Sequence, residues 1–237
     1  MSAMTERLSD SAATTVDRFL GGRLVLRQPR RGHRAGHDAM LLAEATLARA
    51  GERVVEFGAG VGAAGLALAR RVAGLDLVLV EIDPALAALA AENAATNAIA
   101  ARAVVLDVAA SAAAFAAAGL APDSVDAVLM NPPFNADGRH QASPSAAREL
   151  AHQAGAGTLT TWVHAARRIL KPGGALTLIW RADELAAVLA ALDRGLGSLR
   201  VVPVHPRMGA PAIRILVSAV KGGRAPLALE PGLVLAD

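Results

Sequence analysis

Hydrophobic residues from Arg53 onward form short runs rich in Val, Ile and Leu, which alternate with alanine-rich stretches whose apolar positions recur at helical spacing. This alternation is typical of a parallel β-sheet covered by helices on both faces, so we predict a doubly wound α/β domain. The pattern predicts strands at 53–57, 76–81, 102–106, 125–130 and 174–180, and helices at 62–73, 84–97, 109–118, 158–170 and 182–194.

Two further apolar runs, at 199–204 and 212–219, follow one another without an intervening helical stretch. Pro206 to Pro211 lies between them, so the runs predict a closing antiparallel hairpin. The whole sheet would then be mostly parallel and seven-stranded.

The N-terminal part of the chain predicts a small addition to this domain, with a strand at 23–28 and a helix at 38–50. We expect residues 1–20 to form a disordered tail, because chain termini are often poorly ordered. Residues 21–50 would form the N-terminal addition, and residues 51–237 the main domain.

The composition limits the class of protein. A chain of 237 residues suits one domain with small additions, and no apolar run approaches the ~20 residues of a membrane span. Residues 1–17 lack the apolar segment of a secretory signal, so we expect a cytoplasmic protein. Because the chain has no cysteine, disulfides and thiolate metal sites are excluded.

Positive charge is concentrated near the N-terminus, although the formal net charge of the chain is only +3. Arg23, Arg27, Arg30, Arg31 and Arg34 fall within twelve residues of one another. Such clusters often contact phosphates, and a solvated basic loop is the alternative interpretation. We predict that Arg27, Arg30, Arg31 and Arg34 contact phosphates of the substrate.

A glycine-rich turn follows the first predicted strand of the main domain, as Gly58-Ala59-Gly60-Val61-Gly62. Glycines allow a backbone to approach a ligand closely, so the turn indicates a nucleotide-like ligand. It also satisfies a dinucleotide-binding pattern, and tight packing without any ligand is a further alternative. Glu81 ends the next strand, where a carboxylate can accept hydrogen bonds from both ribose hydroxyls. Asp107 could accept from an adenine amino group or cap a helix.

The segment Asn131-Pro132-Pro133-Phe134 comes directly after a predicted strand and decides the class of chemistry. Two prolines remove two N–H groups and stiffen the turn, so the turn offers mainly acceptors. The Asn131 side-chain oxygen and the Pro132 carbonyl could both accept hydrogen bonds from one NH2 group, while Phe134 stacks on its planar system. A rigid turn with a core phenylalanine is the structural alternative. The polar segment 131–157 that starts here predicts a mobile lid.

Together these motifs resemble class I S-adenosylmethionine-dependent methyltransferases with an Asn-Pro-Pro-aromatic motif, which have a Rossmann-like fold. The segment around Gly36-His37-Asp38 and the stretches 204–207 and 221–224 resemble the bacterial tRNA adenine-N6 methyltransferase group. The resemblance implies S-adenosyl-L-methionine as the cofactor. It assigns cofactor or amine contacts to Gly36, His37, Asp38, Glu56, Gly58, Ala59, Gly60, Glu81, Ile82, Asp107, Val108 and Asn131, and substrate contacts to Pro133 and Phe134.

We therefore expect an N-methyltransferase that acts on the N6 amine of adenine in tRNA or another RNA. Methylation of protein glutamine or guanine N2, and a non-catalytic RNA-binding module, are the alternatives. A catechol-type O-methyltransferase would need an acidic metal cluster, and Asp126 and Asp137 are too isolated to form one. His140, His152 and His164 lack ligand-like spacing, so we predict no metal site, and we expect Trp162 and Trp180 in the core or at its rim.

Overall fold

A computed structural model of the chain describes residues 14–31, 34–133 and 144–235. Strands and helices alternate as the hydrophobic pattern predicts. In chain order the elements are β1 (Thr14–Phe19), a 3-10 turn (Leu20–Gly22), β2 (Leu24–Pro29), α1 (His37–Ala45), β3 (Arg53–Phe57), α2 (Ala63–Arg71), β4 (Asp76–Glu81), α3 (Pro84–Thr96), β5 (Ala101–Val105), α4 (Ala112–Ala117), β6 (Val125–Met130), α5 (Pro144–Ile169), β7 (Leu170–Arg181), a 3-10 turn (Ala182–Glu184), α6 (Leu185–Leu192), β8 (Leu196–His205), β9 (Arg214–Lys221), β10 (Ala228–Leu229) and β11 (Leu233–Val234).

The central sheet has the strand order β10-β8-β9-β7-β6-β3-β4-β5. Strands β3 to β7 run parallel, and β9 pairs antiparallel with both β7 and β8, so the prediction of a mostly parallel sheet closed by a hairpin is confirmed. The seven longer strands are those expected. The short strands β10 and β11, which both pair with β8, were not predicted, because each has only two residues and shows no periodicity.

The core lies on both faces of this sheet. Val54 packs on one face with α1 and α2, whereas Val55 and Phe57 pack on the other with Phe115 and α5. Burial of both faces explains why the strands are continuous apolar runs. Within the described ranges, no helix is both long and apolar enough to cross a membrane.

Part of the predicted N-terminal tail is more ordered than expected. Thr14–Phe19 forms a strand that pairs antiparallel with β2, so the prediction of a disordered tail is wrong for this part of residues 1–20. The strand forms because Leu24 and Leu26 of β2 are fully buried in the core and provide a fixed template for it. Residues 1–13 lie outside the described residues.

The other edge of β2 forms hydrogen bonds with two asparagine side chains at the C-terminal end of α3, and not with another strand. Asn93 accepts from the Arg27 N–H at 2.7 Å and donates to the Arg27 carbonyl at 3.0 Å. One turn later, Asn97 makes the same pair of bonds with Val25, at 2.9 and 2.6 Å. Asn93 also donates to the Val61 carbonyl at 3.0 Å, which connects the hairpin to the glycine turn.

Several helix boundaries differ from the predictions by one to three residues, and two differ by more, for identifiable reasons. Helix α1 ends at Ala45, not at residue 50, because Arg71 donates to the carbonyls of Ala43 and Thr46 and so terminates the helix. Helix α5 begins at Pro144 and not at 158, so residues 144–157 are helical and not part of a long loop. A proline is well suited to a first helical position, and the glycines of this stretch obscured its periodicity.

Candidate active site

A pocket of about 630 Å³ opens at the carboxyl ends of β3, β4, β5 and β6. Ligands of open α/β sheets bind at this edge. The lining includes nine residues that the sequence singled out: Gly58, Gly60, Glu81, Ile82, Asp107, Val108, Asn131, Pro132 and Pro133. Ala59 is buried directly between two of them. The sequence motifs therefore converge on one cavity.

The glycine turn has a shape that side chains would prevent. Gly58 has a φ of +63°, and a β-carbon there would lie 2.5 Å from the Cη2 atom of Trp162. Trp162 projects from α5 into the pocket lining and packs edge-on against Phe57, with ring centroids 6.4 Å apart. We expected Trp162 in the core or at its rim, and no local motif revealed that it would line the cavity. Trp180, by contrast, is fully buried as expected.

Glu81 is the anchoring carboxylate of the pocket. One of its oxygens accepts from the Gly60 N–H at 2.7 Å, and the other accepts from the Asp83 N–H at 3.0 Å. An ionised carboxylate has about four lone-pair sites, so these bonds leave acceptors for two hydroxyl groups. Glu81 therefore both fixes the glycine turn and faces the cavity.

Glu56 has a different position from the one expected for a cofactor contact. Its carboxyl lies behind the glycine turn, outside the lining of the pocket, and accepts from the Gly65 N–H at 2.8 Å. Burial raises the pKa of Glu56 to about 8, and the nearby Glu81 charge adds to the rise against the opposing hydrogen bonds from Gly65 and Ala64. Glu56 is therefore a protonated acid at neutral pH that holds the start of α2.

Asp107 and Ile82 lie toward one end of the cavity. Asp107 is exposed, and its side chain accepts from the Ala109 N–H at 2.8 Å. It does not cap the next helix, because Ser111 has that role at the start of α4. Ile82 is 61% exposed although it is apolar, and Val108 is buried. An open apolar wall beside a carboxylate suits a purine ring with an amino group.

Asn131 carries the most informative feature of the site. Its side-chain oxygen is buried and has no hydrogen-bond partner in the described structure. Pro132 is buried, Pro133 is exposed, and Phe134 lies outside the described residues. A buried acceptor without a partner is costly, so its retention at a cavity indicates that a ligand donates to it.

The residues predicted to cover the cofactor do not line the pocket. His37 is exposed at the start of α1, next to Gly36, and Asp38 accepts from Arg214 at 3.0 Å. Their role as a cofactor cover therefore remains a prediction. Long-range pairing of Asp38 with a residue of β9 leaves no signal in the local sequence.

The predicted RNA-contacting arginines are in two different environments. Arg34 donates to Asp17 at 2.6 Å and to the Pro29 carbonyl at 2.7 Å, so it is a structural residue of the hairpin. Burial opposes ionisation of Asp17, but hydrogen bonds from Gln28 and Thr15, together with Arg34, outweigh it and lower the pKa of Asp17. The side chain of Arg27 is 42% exposed and lies 4.0 Å from Glu92. Arg30 and Arg31 are both exposed.

Comparisons with known proteins identify the class. A family model described as "Methyltransferase small domain" matches residues 35–206. A tRNA1(Val) (adenine(37)-N6)-methyltransferase of Tolumonas auensis is 30% identical over 169 residues, which cover 71% of this chain and 68% of that protein. The chain belongs to the methyltransferase small domain family. The dinucleotide-binding alternative left open by the glycine turn is thereby set aside.

Two solved structures support the same fold. A predicted O-methyltransferase from Agrobacterium tumefaciens is 33% identical, with a TM-score of 0.68 over 83% of this chain and 86% of that one. The 16S rRNA N2 methyltransferase of T. thermophilus, solved with AdoMet and guanosine, is 22% identical, with a TM-score of 0.59 over 88% of this chain and 50% of that one. As a member of this family, the protein is a methyltransferase whose cofactor is S-adenosylmethionine.

The residues present fit this cofactor. Gly58 and Gly60 line the pocket without side chains that would obstruct it. Glu81 has spare acceptors for a ribose diol, and Ile82 presents an open apolar face to the adenine. Among the residues that the structure describes, no group of three or more His, Asp or Glu side chains could hold a metal ion.

Proposed function

We propose that this methyltransferase modifies the exocyclic amino nitrogen of adenine, at N6, in RNA, with tRNA as the first candidate substrate. The observation that carries the proposal is the buried, unpartnered oxygen of Asn131 in the wall of the cofactor pocket. The activity for which the Tolumonas auensis relative is named, N6 methylation of adenine in tRNA, supports the choice of adenine and tRNA.

The chemistry requires acceptors and no strong base. An exocyclic nitrogen is a poor nucleophile because its lone pair is delocalised into the ring, and accepting its two hydrogens localises that pair. The Asn131 oxygen accepts a hydrogen bond from one N–H of the amino group, and the carbonyl of the adjacent Pro132 accepts one from the other N–H. When bound, S-adenosylmethionine supplies an electrophilic methyl group on a sulfonium sulfur. The two acceptors orient the nitrogen toward that methyl group, and such positioning contributes a large part of the acceleration.

The basic hairpin supplies the contact with RNA in this proposal. Arg30 and Arg31 are exposed at the end of β2, and half-exposed Arg27 lies on the outer face of the same strand. Phosphate contacts position a nucleic acid, whereas the pocket selects the base. Arg34 keeps the hairpin in shape through Asp17 and is not assigned to RNA.

The test is to incubate the purified full chain with labelled S-adenosylmethionine and unmodified tRNA, and then to analyse the nucleosides by mass spectrometry. We expect N6-methyladenosine. The matched control is Asn131→Ala, which should bind the cofactor but label the RNA far more slowly. A label on guanine N2, on protein glutamine, or on any oxygen or carbon would refute the proposed substrate.

A further inference from the structure

A second cavity, of about 270 Å³, adjoins the cofactor pocket and shares Val108 with it. We call it the basic groove. Its floor is the turn 108–110 that follows β5, and its wall is one face of α5 that carries Thr160, Thr161, His164 and Arg168. Residues four apart in a helix lie on the same face, so Thr160, His164 and Arg168 form a single polar stripe.

The groove is positively charged. Arg168 lines it, and no described lining residue is acidic. The guanidinium of Arg168 is held in place, because its central carbon lies 4.6 Å from the centroid of the Phe115 ring. A fixed cation in a concave site without a counter-charge favours an anionic ligand.

The hydrogen bonds of Arg168 are incomplete. Its Nε atom is buried and has no partner in the described structure. Its Nη2 atom donates to the Ala110 carbonyl only at 3.5 Å, the outer limit of a hydrogen bond. A buried N–H group of a charged side chain normally has an acceptor, so this guanidinium has unused hydrogen-bonding capacity beside the groove.

We propose that the basic groove binds a phosphate group of the RNA substrate. S-adenosylmethionine contains no phosphate, and the end of it assigned to Asp107 and Val108, beside the groove, is the uncharged adenine and not the carboxylate, so an anion in the groove belongs to another ligand. The phosphates of a strand whose base enters the neighbouring pocket are the anions that the proposed function brings there, and the assignment rests on that function. Arg168 would donate to the phosphate oxygens.

The first test uses inorganic phosphate and does not depend on RNA. Amide NMR shifts of the full chain are followed during titration with phosphate at constant ionic strength, with chloride as the control ion. We expect saturable shifts at residues 108–110 that Arg168→Met abolishes and Arg194→Met retains. Arg194 is exposed and does not line the groove, so its variant matches the lost charge. Shifts that are absent in the wild-type chain, or unchanged in Arg168→Met, overturn the proposal.

The second test measures tRNA affinity as a function of salt. Arg168→Met should weaken binding about tenfold or more, the equivalent of one lost charged hydrogen bond, and should reduce the log–log salt slope by about 0.7. Because Arg168 also packs on Phe115, Ala109→Glu provides a second variant at an exposed floor position, with Ala109→Gln as its neutral control. The glutamate should weaken RNA binding, and the glutamine should not.

The outcomes separate this proposal from the proposed function. Phosphate shifts with unchanged tRNA affinity in both Arg168→Met and Ala109→Glu would overturn the assignment to RNA. A wild-type chain that binds phosphate in the groove but binds no RNA would refute the proposed function and support the anion site. Cofactor affinity should remain within a few-fold in all four variants, which checks that the adjoining pocket is intact.

Discussion

The buried acid Glu56 predicts a specific dependence of stability on pH. Below pH 4.5, its ordinary pKa, the carboxyl is protonated in both the folded and the unfolded chain. Between pH 4.5 and about 8, the unfolded chain loses this proton and the folded chain keeps it, so the free energy of unfolding falls as pH rises. Above about pH 8 both states are ionised and the loss is complete.

The size of the effect follows from the pKa. Each pKa unit corresponds to about 1.4 kcal/mol, so a rise from 4.5 to about 8 corresponds to a loss of about 5 kcal/mol. Glu56→Gln removes the titrating group and keeps an oxygen that can accept from the Gly65 N–H. The free energy of unfolding of the variant minus that of the wild type should therefore rise by several kcal/mol as the pH increases from 5 to 8.5.

Urea unfolding of the cofactor-free chain at intervals between pH 5 and pH 9 measures this difference. Glu92→Gln is the control, because it removes a carboxylate whose side chain is 61% exposed and should leave the curve nearly parallel to that of the wild type. If the Glu56→Gln and wild-type curves are parallel, Glu56 does not hold a proton in the folded chain, and our account of this residue is wrong.

Three further predictions concern the pocket. Glu81→Ala should weaken cofactor binding by about 1.5 to 3 kcal/mol for each charged hydrogen bond removed, and unchanged affinity in calorimetry would exclude the ribose contact. Asn131→Ala should keep cofactor affinity within a few-fold but slow single-turnover methylation by roughly 10² to 10³, and full activity would end the proposed mechanism. Gly58→Ala should lower the melting temperature and weaken cofactor binding, because the added β-carbon would collide with Trp162. Adding Trp162→Leu should restore part of the melting temperature and of the cofactor affinity, and no recovery would contradict that contact.

Much of the site could be predicted because its residues belong to contiguous motifs at strand ends. Gly58, Glu81, Asp107 and Asn131 each follow a strand that is visible as an apolar run, and parallel strands bring their carboxyl ends to one edge. Local sequence and topology were sufficient for these four residues.

The rest depends on contacts between distant parts of the chain. The pairing of Arg34 with Asp17 fixes a hairpin whose first strand is too polar to be recognised alone. Trp162 reaches the pocket from a helix whose length was underestimated, and Glu56 is turned behind the glycine turn by a backbone bond to Gly65. In each case the partner, and not the residue's own neighbourhood in the sequence, determines the role.

The asparagine pair on β2 has a consequence for how the N-terminal strand can be aligned. Four residues of helix rise about 6 Å, close to the roughly 6.6 Å that two residues span in a strand, so Asn93 and Asn97 match Arg27 and Val25, respectively, in spacing. If β2 slipped two residues, one amide would face Pro29, which has no N–H to donate. A slip of one residue would bring Leu24 and Leu26 out of the core. The helix therefore disfavours these two slips of β2, and the amides also occupy the edge on which a foreign strand could add.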